Sequence, residues 1–341
     1  MRHVLIIGGT TFMGYELVLR LMASGTRITL LNRGRHPDPF GSRVERLVVD
    51  RTSPEFAQAL RDRTFDAAVD FAAFTASDVQ GAAAALQQRV GHYIFISSGA
   101  AYLAGEGMAL PCPYPLSEGD YPENTRAAPS GREDYNNWKY GADKRAAEAV
   151  LVHAYQTRGF PATRLRLPIV NGARDAGRRL ESYVWRLMDQ APVLLPDGGN
   201  RPLRHVYVED VVQCIAGMLG NSKTYGQAYN LSQDEQPTLQ ELLSLAADML
   251  NTPKQFVSVP QEALEAAGLS LTRVSPFSGQ WSSRLDAAKA RDELGFRHQP
   301  LLQYLEKMAA AWFANWPASP PRGYEARNLE ITLAHQYEQE D

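Results

Sequence analysis

The chain has 341 residues, with 35 Lys+Arg against 38 Asp+Glu, a net charge of −3, 44% hydrophobic and 21% charged residues. That composition is ordinary for one large α/β domain, or a domain with a smaller lobe, and excludes general disorder. A near-neutral charge argues against a dedicated nucleic-acid binder, and a mean hydropathy of −0.33 with no apolar run near about 18 residues argues against a membrane span.

Short apolar runs alternate with helical patterns through the first half. HVLII (3–7) reads as a buried strand, and 12–24 as a helix stopped by Gly25, with Leu17, Leu21 and Met22 at helical spacing. Further strands are predicted at 27–32, 45–50, 66–71 and 92–97, with helices around 54–61 and 77–89. Strands separated by helices imply βαβ crossovers and a parallel sheet buried on both faces. Prolines and glycines make 103–134 a long loop, and long loops in compact domains are often functional. A helix over 135–157, a strand at 163–167, a helix near 180–190, a strand at 204–208, a helix over 209–219 and a strand at 228–232 follow. A smaller α+β lobe closes the chain, with helices at 238–250, 261–267 and 300–315 and a strand at 255–259. The expected architecture is α/β, a Rossmann-type doubly wound parallel sheet over 1–171 and 204–232. A substrate-binding lobe takes 172–203 and 233–320, and a polar tail 321–341.

GGTTFMG (8–14) lies where the first strand becomes a helix. Gly8 suits the tight turn and Gly14 a close helix–strand approach, while free amides and the helix dipole favour a pyrophosphate. Gly8, Thr10, Thr11, Phe12, Met13 and Gly14 are therefore candidate cofactor contacts, with Thr11 where a middle glycine is usual. The end of the second strand, eighteen residues after Gly14, holds Asn32 and then Arg33, rather than the Asp or Glu that accepts from the ribose of NAD. An amide beside guanidinium groups suits a 2′-phosphate, so NADP is favoured over NAD; a solvated basic loop is the bland alternative. Asp50 and the adjoining Arg51 end the third strand, where Asp50 either meets the adenine amine or is a turn residue.

Two Tyr-x3-Lys pairs lie side by side, Tyr135…Lys139 and Tyr140…Lys144. Spacing of i, i+4 puts phenol and ammonium on one helix face, and a nearby cation favours the phenolate, a usable acid/base. Tyr140–Lys144 is preferred because YGADKRAAE continues as regular helix. YIFISSGAAY (93–102) ends a central strand, placing Ser98 to donate to a substrate oxygen or simply to cap the strand end. The histidines show no paired spacing with carboxylates, so no metal is expected.

GGTTFMG, DFAAF (70–74), ISSGAAY, YGADKRAAE, LRLPIVNGARD (165–175), RHVYVEDVV (204–212), AYNLS and LDAAKARDELGF (285–296) together resemble the extended short-chain dehydrogenase/reductases of the NAD-dependent epimerase/dehydratase family, nucleotide-sugar type. The resemblance implies a triad of Ser98, Tyr140 and Lys144, with Ala72, Ala73, Pro168 and Ile169 lining the cofactor. It also implies a homodimer, and hydride transfer at a secondary alcohol or ketone of a nucleotide-activated sugar or related intermediate. Ser98, Tyr102, Arg174 and Arg204 are candidate substrate contacts, and Arg178, Arg179 and Arg201 enlarge the basic set. Gly-Ala-Ala at 99–101, without the Asp-Glu pair of 4,6-dehydratases, lowers dehydratase below reductase and epimerase. Thr11 resembles an atypical branch that includes chloroplast stem-loop-binding proteins, so the alternative is a non-catalytic nucleotide- or RNA-binding protein. MRHVLIIGGT lacks the features of a signal peptide, and two cysteines, Cys112 and Cys214, make no disulfide framework. A cytoplasmic protein with a small-molecule substrate, no nucleic acid and no membrane partner is expected.

Overall fold

The computed structural model describes residues 2–281 and 283–338. In chain order, β1 (His3–Ile7), α1 (Phe12–Ala23), β2 (Arg27–Asn32), β3 (Glu45–Val48), α2 (Glu55–Leu60), β4 (Ala67–Asp70), α3 (Ala76–Leu86) and β5 (Tyr93–Ser98) build the first half. Then come α4 (Ala100–Leu103), α5 (Arg132–Arg158), β6 (Ala162–Leu167), β7 (Ile169–Asn171), α6 (Arg179–Met188), β8 (Val193–Pro196), β9 (His205–Tyr207), α7 (Val208–Met218) and β10 (Ala228–Asn230). The remainder is α8 (Leu239–Leu250), β11 (Phe256–Val259), α9 (Gln261–Ala266), α10 (Leu271–Val274), α11 (Ala288–Leu294), α12 (Leu301–Ala314) and α13 (Arg327–Glu338).

Two compact units divide the chain. The first comprises Met1–Val170, Val206–Ser232 and Trp281–His298; the second comprises Asn171–His205, Gln233–Gln280 and Gln299–Asp341. The first unit is built on a seven-stranded parallel sheet ordered β10-β6-β5-β4-β1-β2-β3. β1, β4 and β5 are apolar and buried almost throughout because helices cover both sheet faces. Strand order reverses between β1 and β4, which pair Ile7 with Asp70, so a crevice opens at their carboxyl ends.

Helix α5 has Glu133 and Asp134 in its first turn and stops at Gly159, which takes the left-handed conformation with φ 63°. A capping box of Thr75 and Asp78 starts α3. The proline-rich segment before α5 is not an open loop. Tyr102, Leu103, Met108, Cys112, Leu116 and Leu285 form a buried cluster there. Arg145 donates to the carbonyls of Ala101, Pro122, Glu123 and Asn124 and to the Thr125 hydroxyl. Tyr121 lies between the guanidinium groups of Arg145 and Arg166, 4.5 and 3.8 Å from its ring centre. Leu285 belongs to this cluster, so residues 281–298 fold with the first unit rather than with the lobe.

In the second unit β8 and β11 pair in parallel. Leu194, Val257, Val259, Leu264, Leu333 and Ala334 share its core, which brings α13 into the fold. The segment expected to be a polar tail thus carries a packed helix, tied by Glu330 to the fully buried Arg186 with Oε1–Nη2 at 2.6 Å, and by Arg327 to Asp189. No helix among the described residues is long and apolar enough to cross a membrane.

Candidate active site

The Gly-rich turn joins β1 to α1 at the strand reversal. Gly8 has φ 86°, a conformation other residues rarely adopt, and its N–H donates to the Leu31 carbonyl at 3.0 Å. A Cβ on Gly14 would collide with the Gly8 carbonyl, so this glycine lets the helix start against the turn. Thr11 is the N-cap of α1 yet makes no side-chain cap, and the first turn holds no acidic residue. The amide end of a twelve-residue helix is therefore left to an anion, and a pyrophosphate fits it. Thr10 lies within this turn and Met13 in the first turn of α1. Phe12 takes φ 41°, an uncommon conformation for a non-glycine residue, which holds the entry to α1 in a fixed bend.

On the β2 side, Asn32 Oδ1 accepts from the Gly34 amide at 2.8 Å, folding 32–34 into a tight turn that leaves Arg33 and Arg35 exposed. Asp50 is half-buried; hydrogen bonds from the Thr52 amide and hydroxyl, then the charges of Arg33 and Arg35, hold its carboxyl below the usual range. Asn32, Arg33 and Asp50 thus form one polar rim. The Arg51 side chain points elsewhere, into a buried ion pair with Asp70, and is not available to contact a cofactor directly. Ala72 lies beside Gly8, 3.1 Å from where a Cβ of Gly8 would be, and Ala73 is buried.

The two Tyr-x3-Lys pairs have different surroundings. Tyr135 is exposed, and Lys139 forms a surface ion pair with Asp143 at 2.7 Å. Lys144 is 3% exposed, and its Nζ donates to the Ala73 carbonyl at 2.8 Å and the Ile96 carbonyl at 2.7 Å. Rings of Phe95, Phe74 and Tyr140 surround that ammonium, their centres 4.7, 4.9 and 5.9 Å away. Burial pushes the Lys144 pKa down to about 8 against Asp70 and Glu148, whose charges pull it up. Tyr140 is 40% exposed, so one face of α5 joins a buried cation to an accessible phenol. Gly141 sets the helix close to the turn after β5, since a Cβ there would overlap the Ala100 carbonyl. Ser98 ends β5, and its Oγ accepts from the Ala100 amide at 3.2 Å, which starts α4 while leaving its hydroxyl proton to donate. Pro168 and Ile169 follow β6, whose Leu167 carbonyl accepts from Gly99.

The expected substrate contacts fare differently. Tyr102 is fully buried; its hydroxyl donates to Asn230 and accepts from Arg166, and burial pushes its pKa up to about 12. The α4 turn directs it into the core, so it cannot touch a substrate. In the second unit Arg204 is buried and donates to the Gly279 carbonyl at 3.3 Å, whereas Arg174 is exposed. Arg178 pairs with Glu181, Arg179 with Asp175 and Arg201 with Asp197, which neutralises most of the expected basic set. Sequence reading missed Phe74, half-exposed beside Lys144, and the partner of Asp70; a carboxylate ending the buried run AAVD was the available signal.

Comparisons with known proteins bear on the family and the fold. The chain is 25% identical over 260 residues to the chloroplast stem-loop binding protein of 41 kDa b of Arabidopsis thaliana, covering 72% of this chain and 62% of that protein, less than two thirds of its length. An epimerase from Methanothermobacter thermautotrophicus superposes with a TM-score of 0.72 at 17% identity, over 92% of this chain and 93% of that one. UDP-glucose 4-epimerase from Thermotoga maritima, solved with UDP-glucose, gives 0.70 at 18% identity, over 92% and 98%. At these identities the structures show a shared fold. Residues 4–232, more than half of the chain, match the NAD dependent epimerase/dehydratase family, and the chain belongs to that family.

Proposed function

We propose that this protein is an NADP(H)-using reductase or epimerase acting on a secondary alcohol or ketone of a nucleotide-activated sugar or related biosynthetic intermediate. The observation that carries this reading is the accessible Tyr140 one turn from the buried, doubly hydrogen-bonded Lys144, at the carboxyl ends of β4 and β5. The first unit is the dinucleotide-binding domain and the second the substrate lobe. A homodimer, on the strength of the family resemblance, and a cytoplasmic location, on the strength of the composition and the two cysteines, complete the reading.

When bound, the nicotinamide dinucleotide supplies or takes the hydride at the substrate carbon. The α1 amides and Thr11 hold the pyrophosphate, and Asn32 with Arg33 meets the adenosine ribose and its 2′-phosphate. Ala72, Ala73, Pro168 and Ile169 line the cofactor's path. Tyr140 moves the hydroxyl proton, the cation of Lys144 favours its phenolate, and Ser98 donates to the oxygen on which charge develops.

Titration with NADPH and, separately, NADH tests the cofactor assignment. NADPH is expected to bind more tightly, and Asn32→Asp to reverse the preference by placing a carboxylate against the 2′-phosphate. Equal affinities, or tighter NADH binding by the native chain, overturn the 2′-phosphate site. Lys144 carries its charge below its pKa of about 8 and loses it above, so kcat is expected to fall as pH rises through about 8. A kcat that stays level to pH 10 removes the lysine cation from the mechanism.

A second reading, binding to stem-loop RNA, draws on the name of the Arabidopsis relative. The net charge of −3 gives it little electrostatic support. Under that reading Tyr140→Phe leaves RNA affinity untouched; under the first it cuts turnover by orders of magnitude.

A further inference from the structure

Arg51 stands next to Asp50 on the rim of the adenosine side, yet its side chain runs inward. Nη1 lies 2.7 and 2.9 Å from the two oxygens of Asp70, and Nη2 donates to the Asp78 carbonyl at 2.8 Å. Nε lies 3.4 Å from the Asp78 carboxylate. Asp70 is fully buried at the end of β4 and also accepts from the Tyr93 hydroxyl at 2.7 Å and the Ala72 amide at 2.9 Å. Asp78 in turn accepts from the Phe74 and Thr75 amides at the start of α3. One guanidinium therefore ties together the connection after β3, the end of β4 and the first turn of α3.

A buried ion pair is often no more stabilising than a well-packed apolar pair of the same volume. The planar, forked guanidinium fixes distance and angle, which an apolar contact does not. What it fixes here is the spacing between residues 50–52 and residues 70–73. The first of these segments carries Asp50, on the adenosine side of the dinucleotide reading, and the second carries Ala72, which lies beside the Gly8 turn.

We infer that the Arg51–Asp70 pair is a positioning device for an adenosine-diphosphate ligand, the adenosine half of the dinucleotide, holding the segments 50–52 and 70–73 at the separation that ligand needs. This rests on the dinucleotide reading and deepens it. The pair touches no ligand; it acts through the backbone it spaces.

The test is titration of the native protein, Arg51→Lys and Arg51→Gln with ADP-ribose and with NADPH, alongside melting temperature and steady-state kinetics. Both variants are expected to bind ADP-ribose and NADPH about ten-fold more weakly, with KM for the dinucleotide raised equally and kcat unchanged. Arg51→Lys, which keeps the charge but not the fork, should not restore affinity. Lower melting temperatures with ADP-ribose affinity within two-fold of native overturn the inference, as does a fall in kcat at unchanged KM. If the single variants do not fold, Arg51→Met with Asp70→Leu replaces the pair by apolar packing. That protein is expected to fold and still bind ADP-ribose weakly, and native-like affinity overturns the inference. Native protein that binds neither NADPH nor ADP-ribose overturns the dinucleotide reading itself and this inference with it. Native binding that survives in the variants overturns only the role of the pair.

Discussion

Tyr140→Phe is expected to lower kcat by about 10²–10⁴-fold, the range that one positioned proton-transfer group supplies. Dinucleotide affinity should stay within two-fold, because the ring that flanks the Lys144 ammonium is retained and only the hydroxyl is removed. Tyr135→Phe is the control. Its lysine partner by spacing, Lys139, is exposed and pairs with Asp143, so kcat should not change. Initial rates of NADPH consumption, with binding read from nicotinamide fluorescence, decide the matter. Equal losses in the two variants would sink the assignment of Tyr140, and unchanged rates in both would remove tyrosine from the chemistry.

The second large effect is on stability and lies far from the chemistry. Arg186 and Glu330 are both fully buried in the second unit, 2.6 Å apart, and Arg186 also donates to the Ser182 carbonyl and hydroxyl. Arg186→Ala leaves a carboxylate in the core answered, among the described residues, by Arg327 at 3.2 Å, and is expected to cost about 3–5 kcal/mol. Arg186→Met combined with Glu330→Leu removes both charges and should cost far less. Urea unfolding followed by tryptophan fluorescence reports on this unit through Trp185, which packs against the rings of Trp316 and Tyr324. A single variant as stable as the native chain would show that α13 does not depend on the pair.

The parts of this fold legible in the sequence are those where one local pattern has one physical solution. VLII, AAV and YIFI are continuous apolar runs, and a strand buried on both faces has no polar side to show. Gly8 and Gly14 announce their turn because its φ and its close approach exclude other residues. What stayed hidden depends on partners distant in sequence. Asp70 finds Arg51 nineteen residues before it, and Glu330 finds Arg186 across 144 residues. Residues 321–341 read as a tail because half of what the helix there buries is charged, Arg327 and Glu330 beside Leu333 and Ala334, which breaks the apolar stripe a sequence shows. Tyr102 followed a motif to the mouth of a strand, but one short helical turn rotates it into the core. Lys144 was placed on the correct helix by its spacing, while its two carbonyl acceptors come from other segments and no spacing rule finds them.

The grip of Arg145 has a consequence for how such a protein diversifies. Four of the five acceptors it holds between residues 101 and 125 are main-chain carbonyls, which every amino acid carries. The path of this segment is thereby partly uncoupled from its sequence. Side chains pointing away from the anchor can be exchanged without surrendering the conformation, while the anchor itself travels with the helix that carries Tyr140 and Lys144. Variation in the segment and constancy in the helix can therefore proceed independently, one residue apart at Lys144 and Arg145.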